Sequence, residues 1–304
     1  MTVTSPSPRR GNVLDYLARR LNLWQLLWLI GLTFFLVGVL FPFYWMVSSS
    51  FKSQAEIAGR HPVYVPHSLR LDAYKELFDP NAPHYQDFGK NIVNSIRVSV
   101  PTALIAVVLS VLGAYAIARL RFRGKELMLN GVLAVYLIPG VLLIIPLFAM
   151  LAKAGDALGF EVQDNLSVLV VTYLAQTLPV ALYMLTNYFR TIPDEIEQAA
   201  LIDGCNRMEV IWRVTLPLSI PAIVSVFVYT FMIAWNEFLY AFVFLNDRDL
   251  FTMPIKIQAI YSDPSPRPHV VMAASTIMTV PVVLLFLTLE RFLEQGLTAG
   301  GVKG

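Results

Sequence analysis

The chain has 304 residues, 56% hydrophobic and 14% charged, with a formal net charge of +2. A soluble domain carries about a quarter charged residues, so this composition excludes an ordinary soluble globule and implies an all-α integral membrane protein. The near-neutral balance, with no Lys/Arg cluster interleaved with aromatics, points away from nucleic acid, and the single cysteine, Cys205, excludes an intrachain disulfide.

In chain order, residues 1–22 form a cytoplasmic tail. Its Ser/Pro-rich head is expected to be disordered, and Asn12 to Asn22 would place Leu14, Leu17 and Leu21 on one side of a short surface helix. A bilayer core needs about 20 apolar helical residues. Six stretches qualify: Trp24–Val47, Val98–Ala118, Leu127–Leu151, Leu166–Tyr188, Ile220–Leu245 and Val270–Leu289. The first is too long for a signal-peptide core and lacks a small-residue cleavage site, so it reads as a retained helix. The membrane bundle then spans 23–295, with a cytoplasmic tail expected at 296–304.

Arginine and lysine set the orientation. Arg9, Arg10, Arg19 and Arg20 precede the first span, Arg119, Arg121, Arg123 and Lys125 fill the second-to-third turn, Arg190, Arg207 and Arg213 lie between the fourth and fifth, and Arg291 and Lys303 follow the sixth. Both termini are therefore expected inside. The loop from Ser48 to about Arg97 mixes both signs of charge and is placed outside. Its prolines deny a long helix until Leu71, after which Asp72 would cap a short one ending near Phe78. His61, His67, His84 and His269 all read as loop residues, none at metal-ligand spacing from a cysteine or second histidine. Pro42, Pro101, Pro139, Pro146, Pro179, Pro221 and Pro281 fall within or at the ends of spans, where each removes a helical hydrogen bond and favours a kink.

One polar segment interrupts this apolar chain: EQAALIDGCNRMEVIWRVTLP, Glu197–Pro217. Thr191-Ile-Pro-Asp194 has the pattern of a capping box, with Pro193 in the first turn, and Asn206-Arg-Met-Glu209 repeats it. Gly204 stands where a helix ends in a left-handed residue. Two short helices joined at Gly204–Cys205 follow. Helices this short are marginal in water, so a partner surface must stabilise them. Lipid is one candidate surface. The acids Asp194, Glu195, Glu197 and Asp203 favour a protein instead, since anionic headgroups repel them.

The segment resembles the EAA loop of bacterial ABC-importer permeases: E-A-A, three residues, G, nine residues, I-x-L-P. It stands here as Gln198-Ala199-Ala200, Gly204 and Val214-Thr215-Leu216-Pro217 with every spacing kept. Gln198 replaces the usual glutamate and Val214 the isoleucine. YAIARLRFRGK (Tyr115–Lys125), AWNEFLYAF (Ala234–Phe242) and GLTAGGVKG (Gly296–Gly304) are similar to the MalG-like subunits of carbohydrate importers. The resemblance implies a type I importer permease with six transmembrane helices, in which the loop over 191–217 is a coupling helix seated in a cleft of a cytosolic ATPase. Glu197, Gln198, Ala199, Ala200, Asp203, Gly204, Asn206, Arg207, Met208, Glu209, Ile211 and Pro217 would carry that coupling. The implied partners are a second, MalF-like permease, two ATPase subunits, an extracytoplasmic sugar-binding protein and membrane lipid, in a bacterial inner membrane. ATP and Mg would be used by the ATPase. The chain itself has no G-x-x-x-x-G-K-[ST] phosphate loop, so it is expected to bind no cofactor.

Charge inside a span costs several kcal/mol, which singles out Glu237. Asn236, Glu237 and Tyr240 could share a helix face lining a route for sugar hydroxyls; equally, Glu237 could bond a neighbouring helix or fix a kink. Gln176 and Asn187 in the fourth span are further candidates, although such residues often serve interhelical hydrogen bonds. The resemblance implies a di- or oligosaccharide cargo such as maltose or trehalose. An ABC permease for a glycerophosphodiester or polyamine is the alternative. An ion-coupled secondary transporter fits less well, since that class carries several buried ionisable groups. No H-E-x-x-H or G-x-S-x-G motif supports an embedded enzyme.

Overall fold

The computed structural model describes residues 22–301 except Pro83 and Pro266, and their side chains except those of Val135 and residues 293–301. The expectations for the head of the chain, 1–21, and for the last residues, 302–304, lie outside the described set.

Among the described residues every regular element is helical. Helix α1 (Leu23–Ser50) is 28 residues long, about 42 Å at 1.5 Å per residue, ample for a hydrocarbon core of about 30 Å. Two short outer helices follow, α2 (Gln54–Ala58) and α3 (Asp72–Phe78). Asp72 is the first residue of α3 rather than its cap, a place taken by Leu71 with no side-chain bond. Helix α4 (Phe88–Arg119) begins ten residues before the expected span. Its extra turns hold Asn91, Asn94 and Ser95, whose side chains bond other segments.

The third and fifth spans are not single helices. The third breaks into α5 (Lys125–Tyr136) and α6 (Gly140–Leu158), because Pro139 has no N–H to continue the ladder and disfavours helical geometry at Ile138. Helix α7 (Leu166–Thr191) forms the fourth span. The polar segment gives α8 (Asp194–Ile202) and α9 (Arg207–Val210), then a π-helical turn over Ile211–Thr215. The fifth span splits into α10 (Ile220–Asn236) and α11 (Leu239–Phe244). Outer helix α12 (Met253–Tyr261) leads to α13 (Pro268–Gly301). His269 sits in the first turn of α13, not in a loop, because Pro268 starts the helix one residue earlier.

Helices α4 and α7 form the centre. Val111, Ala114 and Tyr115 pack on Ala181, Leu185 and Phe189. Gly113 permits the approach: a Cβ there would lie 2.6 Å from Leu182 Cδ1, and small residues are what let membrane helices pack backbone to backbone. Several buried hydroxyls are satisfied within their own helices, Ser99 on the Ser95 carbonyl at 2.7 Å, Thr102 on Val98 at 2.7 Å and Thr172 on Val168 at 2.8 Å, since lipid offers no water to do so. Helix α1 remains largely exposed and meets the bundle through α13.

Candidate functional site

The helical hairpin α8–α9 lies at the end of the bundle that carries Arg119 and Arg190. Its turn is set by Gly204, at φ +94°, with the Cys205 N–H bonded back to the Ala200 carbonyl at 3.0 Å. The second expected capping box is present: the Asn206 N–H donates to Glu209 Oε2 at 2.8 Å and the Glu209 N–H to Asn206 Oδ1 at 3.0 Å. The first is not. Thr191 is the last residue of α7 and its hydroxyl donates back to the Tyr188 carbonyl at 2.7 Å. Pro193 occupies the cap of α8, and Asp194 pairs with Arg119 instead. A guanidinium within reach is a stronger partner for that carboxylate than a backbone N–H.

Ten of the twelve expected coupling residues lie at the surface or partly so, among them Gln198, Ala199, Ala200, Asp203, Gly204, Asn206, Arg207, Met208, Glu209 and Pro217. The other two do not. Ile211 is buried against Phe189 and Val226, since its place after α9 turns it onto the bundle. Glu197 is 4% exposed and faces inward: Arg119 Nε donates to its Oε1 at 3.0 Å and the Thr215 hydroxyl to the same oxygen at 3.0 Å. A buried carboxylate needs such partners. The most exposed large apolar side chains of the segment are Ile202 at 86%, Trp212 at 67% and Met208 at 53%. The motif spacing does not mark Ile202 or Trp212. Their signal was two large apolar side chains in the most polar segment of the chain. Beside the hairpin, Arg119, Arg121, Gln198, Leu201 and Arg207 border a polar recess of about 410 Å³.

A second concavity, also of about 410 Å³, opens where the two broken spans meet. Ile138, Pro139 and Gly140 come from the α5–α6 break, Gln176 and Pro179 from α7, and Tyr240 from α11. The Tyr240 hydroxyl donates to the Gly140 carbonyl at 2.9 Å. Gln176 Oε1 is buried without a hydrogen-bond partner. Among the described residues no charged side chain lines this cleft.

The other expected pathway residues are elsewhere. Asn236 ends α10 and its amide donates to the Met232 carbonyl at 2.8 Å. Asn187 lies eleven residues beyond Gln176 on α7, about 16 Å along the axis, and does not border the cleft. Asn236, Glu237 and Tyr240 do not share one helix face, because the backbone turns extended at Glu237 (φ −68°, ψ 128°). Glu237 closes the start of α11: its Oε1 accepts the Tyr240 N–H at 2.9 Å, and its Oε2 the Ala241 N–H at 3.1 Å and the Tyr173 hydroxyl at 2.7 Å. Its carboxylate therefore both fixes the break and binds the neighbouring helix. Among the described residues no group of three or more His, Cys, Asp or Glu is placed to hold a metal ion.

Residues 106–299 match the family model described as the binding-protein-dependent transport system inner membrane component. The chain belongs to that family. It is 43% identical over 274 residues to the inner membrane ABC transporter permease protein YcjP of Escherichia coli (strain K12), covering 90% of this chain and 95% of that one. It is 33% identical over 281 residues to the trehalose/maltose transport system permease protein MalG of Thermococcus litoralis, covering 92% and 97%. The fold matches a chain of a bacterial ABC transporter involved in the import of the acidic polysaccharide alginate, with TM-score 0.73, 20% identity and coverage of 94% and 99%. The protein is thus a multi-pass, non-catalytic permease subunit of an ABC importer, with the all-α membrane architecture read from the sequence. Its hairpin is the segment that carries the EAA-type spacing.

Proposed function

We propose that this permease moves a di- or oligosaccharide, of the size of maltose or trehalose, into the cytoplasm, and that α8–α9 receives the push of a cytosolic ATPase that uses ATP and Mg. The carrying observation is the polar segment: Ile202, Met208 and Trp212 are large apolar side chains left exposed there, and Arg207–Leu218 meets α10 at 81°. A lever of that shape turns a sideways displacement of the hairpin into a tilt of the fifth span. The arginine-rich ends of α4 and α7 lie beside the hairpin, which supports a cytoplasmic placement for it and for both termini.

The uncharged cleft with Gln176 and Tyr240 favours a neutral, hydroxyl-bearing cargo. A glycerophosphodiester or polyamine would call for charge in its lining. The names of relatives, trehalose/maltose among them, agree with a sugar. The remaining parts of the assembly are a second permease, two ATPase subunits and an extracytoplasmic sugar-binding protein. The test is reconstitution of the co-expressed assembly in proteoliposomes. Sugar uptake with ATP hydrolysis stimulated by the sugar-loaded binding protein is expected. Uptake by this chain alone, driven by an ion gradient, would overturn the reading.

A further inference from the structure

We infer that Arg119 is a positioning residue for energy coupling, the strut that makes α4 move with the hairpin; the inference rests on the importer reading above. The covalent connections of the hairpin run back to α7 and forward to α10. Helix α4 has no covalent link to it, yet α4 is the longest fully described rod of the centre, 32 residues or about 48 Å. Arg119, its last residue, provides the missing link. Its side chain is 7% exposed, and that of Glu197 is 5% exposed. All three guanidinium nitrogens are committed: Nε to Glu197 Oε1 at 3.0 Å, Nη2 to the Ile192 carbonyl at 2.8 Å, and Nη1 to Asp194. Glu197 passes the connection on to the π turn through the Thr215 hydroxyl at 3.0 Å.

A joint of this kind resists separation. Pulling α8 from α4 would strand two buried charges, each costly without the other, and the planar fork of arginine holds direction as well as distance. The far end of α4 is fastened as firmly. Asn91 Nδ2 donates to the Phe251 carbonyl at 2.9 Å, Asn94 Nδ2 to the Asp249 carbonyl at 2.8 Å, and the Ser95 hydroxyl accepts the Met253 N–H at 2.8 Å. Movement of the hairpin is therefore conveyed by α4 to the outer segment Asp249–Met253, where a loaded binding protein would be met. Glu197, immediately before the EAA-type motif, serves this internal joint rather than the ATPase surface.

The experiment compares Arg119→Gln, Arg119→Lys and Glu197→Gln in the full reconstituted assembly, reading ATP hydrolysed per sugar transported, normalised to assembled complex. Arg119→Gln is expected to raise that ratio on the order of tenfold, within the range of typical coupling factors, with the ATPase still bound. Glu197→Gln should raise it less, since Asp194 and the Ile192 carbonyl still hold the arginine. Arg119→Lys should recover part of the loss. An unchanged ratio in both Arg119→Gln and Glu197→Gln would overturn the strut, as would loss of the ATPase subunit in proportion to lost uptake, which makes Arg119 a scaffold only. If Arg119→Gln does not assemble, Glu197→Gln alone decides by the same ratio. Failure of the wild-type assembly to show stimulated hydrolysis would instead sink the importer reading itself.

Discussion

Gly204 has open space around its Cα, with nothing within 4 Å of where a Cβ would stand, so its requirement is purely one of backbone, at φ +94°. A β-branched residue is a genuine outlier there, and left-handed geometry costs a side chain about 1–2 kcal/mol. Gly204→Val should uncouple ATP hydrolysis from uptake while leaving membrane insertion intact, whereas Gly204→Asn, which tolerates such geometry, should transport. Parallel uptake and ATPase assays separate the two. Normal coupling in the valine variant would remove the turn from the mechanism.

Glu237 calls for a different argument. Its two oxygens accept three donors, so Glu237→Gln turns one acceptor into a donor facing other donors. The loss of buried satisfaction is worth about 1–3 kcal/mol, against about 1 kcal/mol for Tyr173→Phe, which removes a single bond. Thermal melting of the purified complex should show that order. A Glu237→Gln variant of wild-type melting temperature but raised KM for sugar would return Glu237 to the transport route.

In the outer loop, Glu56 completes the capping box of α2 begun by Ser53, and its carboxyl pKa is held at about 2 by the Ser53 N–H, with His67 and the Ser53 hydroxyl adding to it. His67 Nδ1 lies 2.7 Å from Glu56 Oε1. A carboxyl whose folded value is lowered contributes stability that is fully present above its unfolded value and lost as pH falls through the folded one. Protection of residues 53–67 against hydrogen exchange should therefore decline as pH falls from about 4.5 to about 2. Glu56→Gln should lose that dependence. An unchanged profile in the variant would show that another group sets it.

At the scale of elements, the described residues hold five helices long and apolar enough to cross a membrane, or six if the bent pair ending at Asn236 is one span, and the expected ends of the first and fourth fell within a few residues of α1 and α7. The breaks were less legible. Seven prolines stood in or beside spans, yet a full interruption of the third span occurs only at Pro139, with residues 137–139 outside any helix, while Pro101, Pro146 and Pro179 are accommodated inside α4, α6 and α7. Proline removes one bond wherever it stands. Whether the chain then breaks depends on which neighbour can receive the freed backbone. At Glu237 no proline is involved at all: a side chain offers the N–H groups of α11 an alternative partner, and Tyr173 on another helix holds it there.

For the whole molecule, the segment that exposes Ile202, Met208 and Trp212 should be the docking surface. Cysteines placed at Met208 or Trp212 should crosslink to cysteines lining the cleft of the ATPase subunit, in a background where Cys205 is replaced. Cysteine at Ile211 should not, because that position is buried in the bundle. Crosslinking at Ile211 with none at Met208 or Trp212 would reverse the orientation of the hairpin; no crosslink at any position would favour a lipid contact.

Composition and hydrophobic run length by themselves determined that this chain is a bundle of membrane helices, because a bilayer admits few other solutions for backbone hydrogen bonds. The spacing from Gln198 through Gly204 to Pro217 determined the hairpin and its turn, since a left-handed residue and a capping box are local requirements. Only the tertiary structure decided that Glu197 and Ile211 face inward, that Arg119 bonds Glu197 from 78 positions away, and that Gln176 and Tyr240 share a cleft while Asn236 and Asn187 do not. Those facts depend on which helices lie side by side, and helical periodicity is blind to that when every face of a helix is apolar.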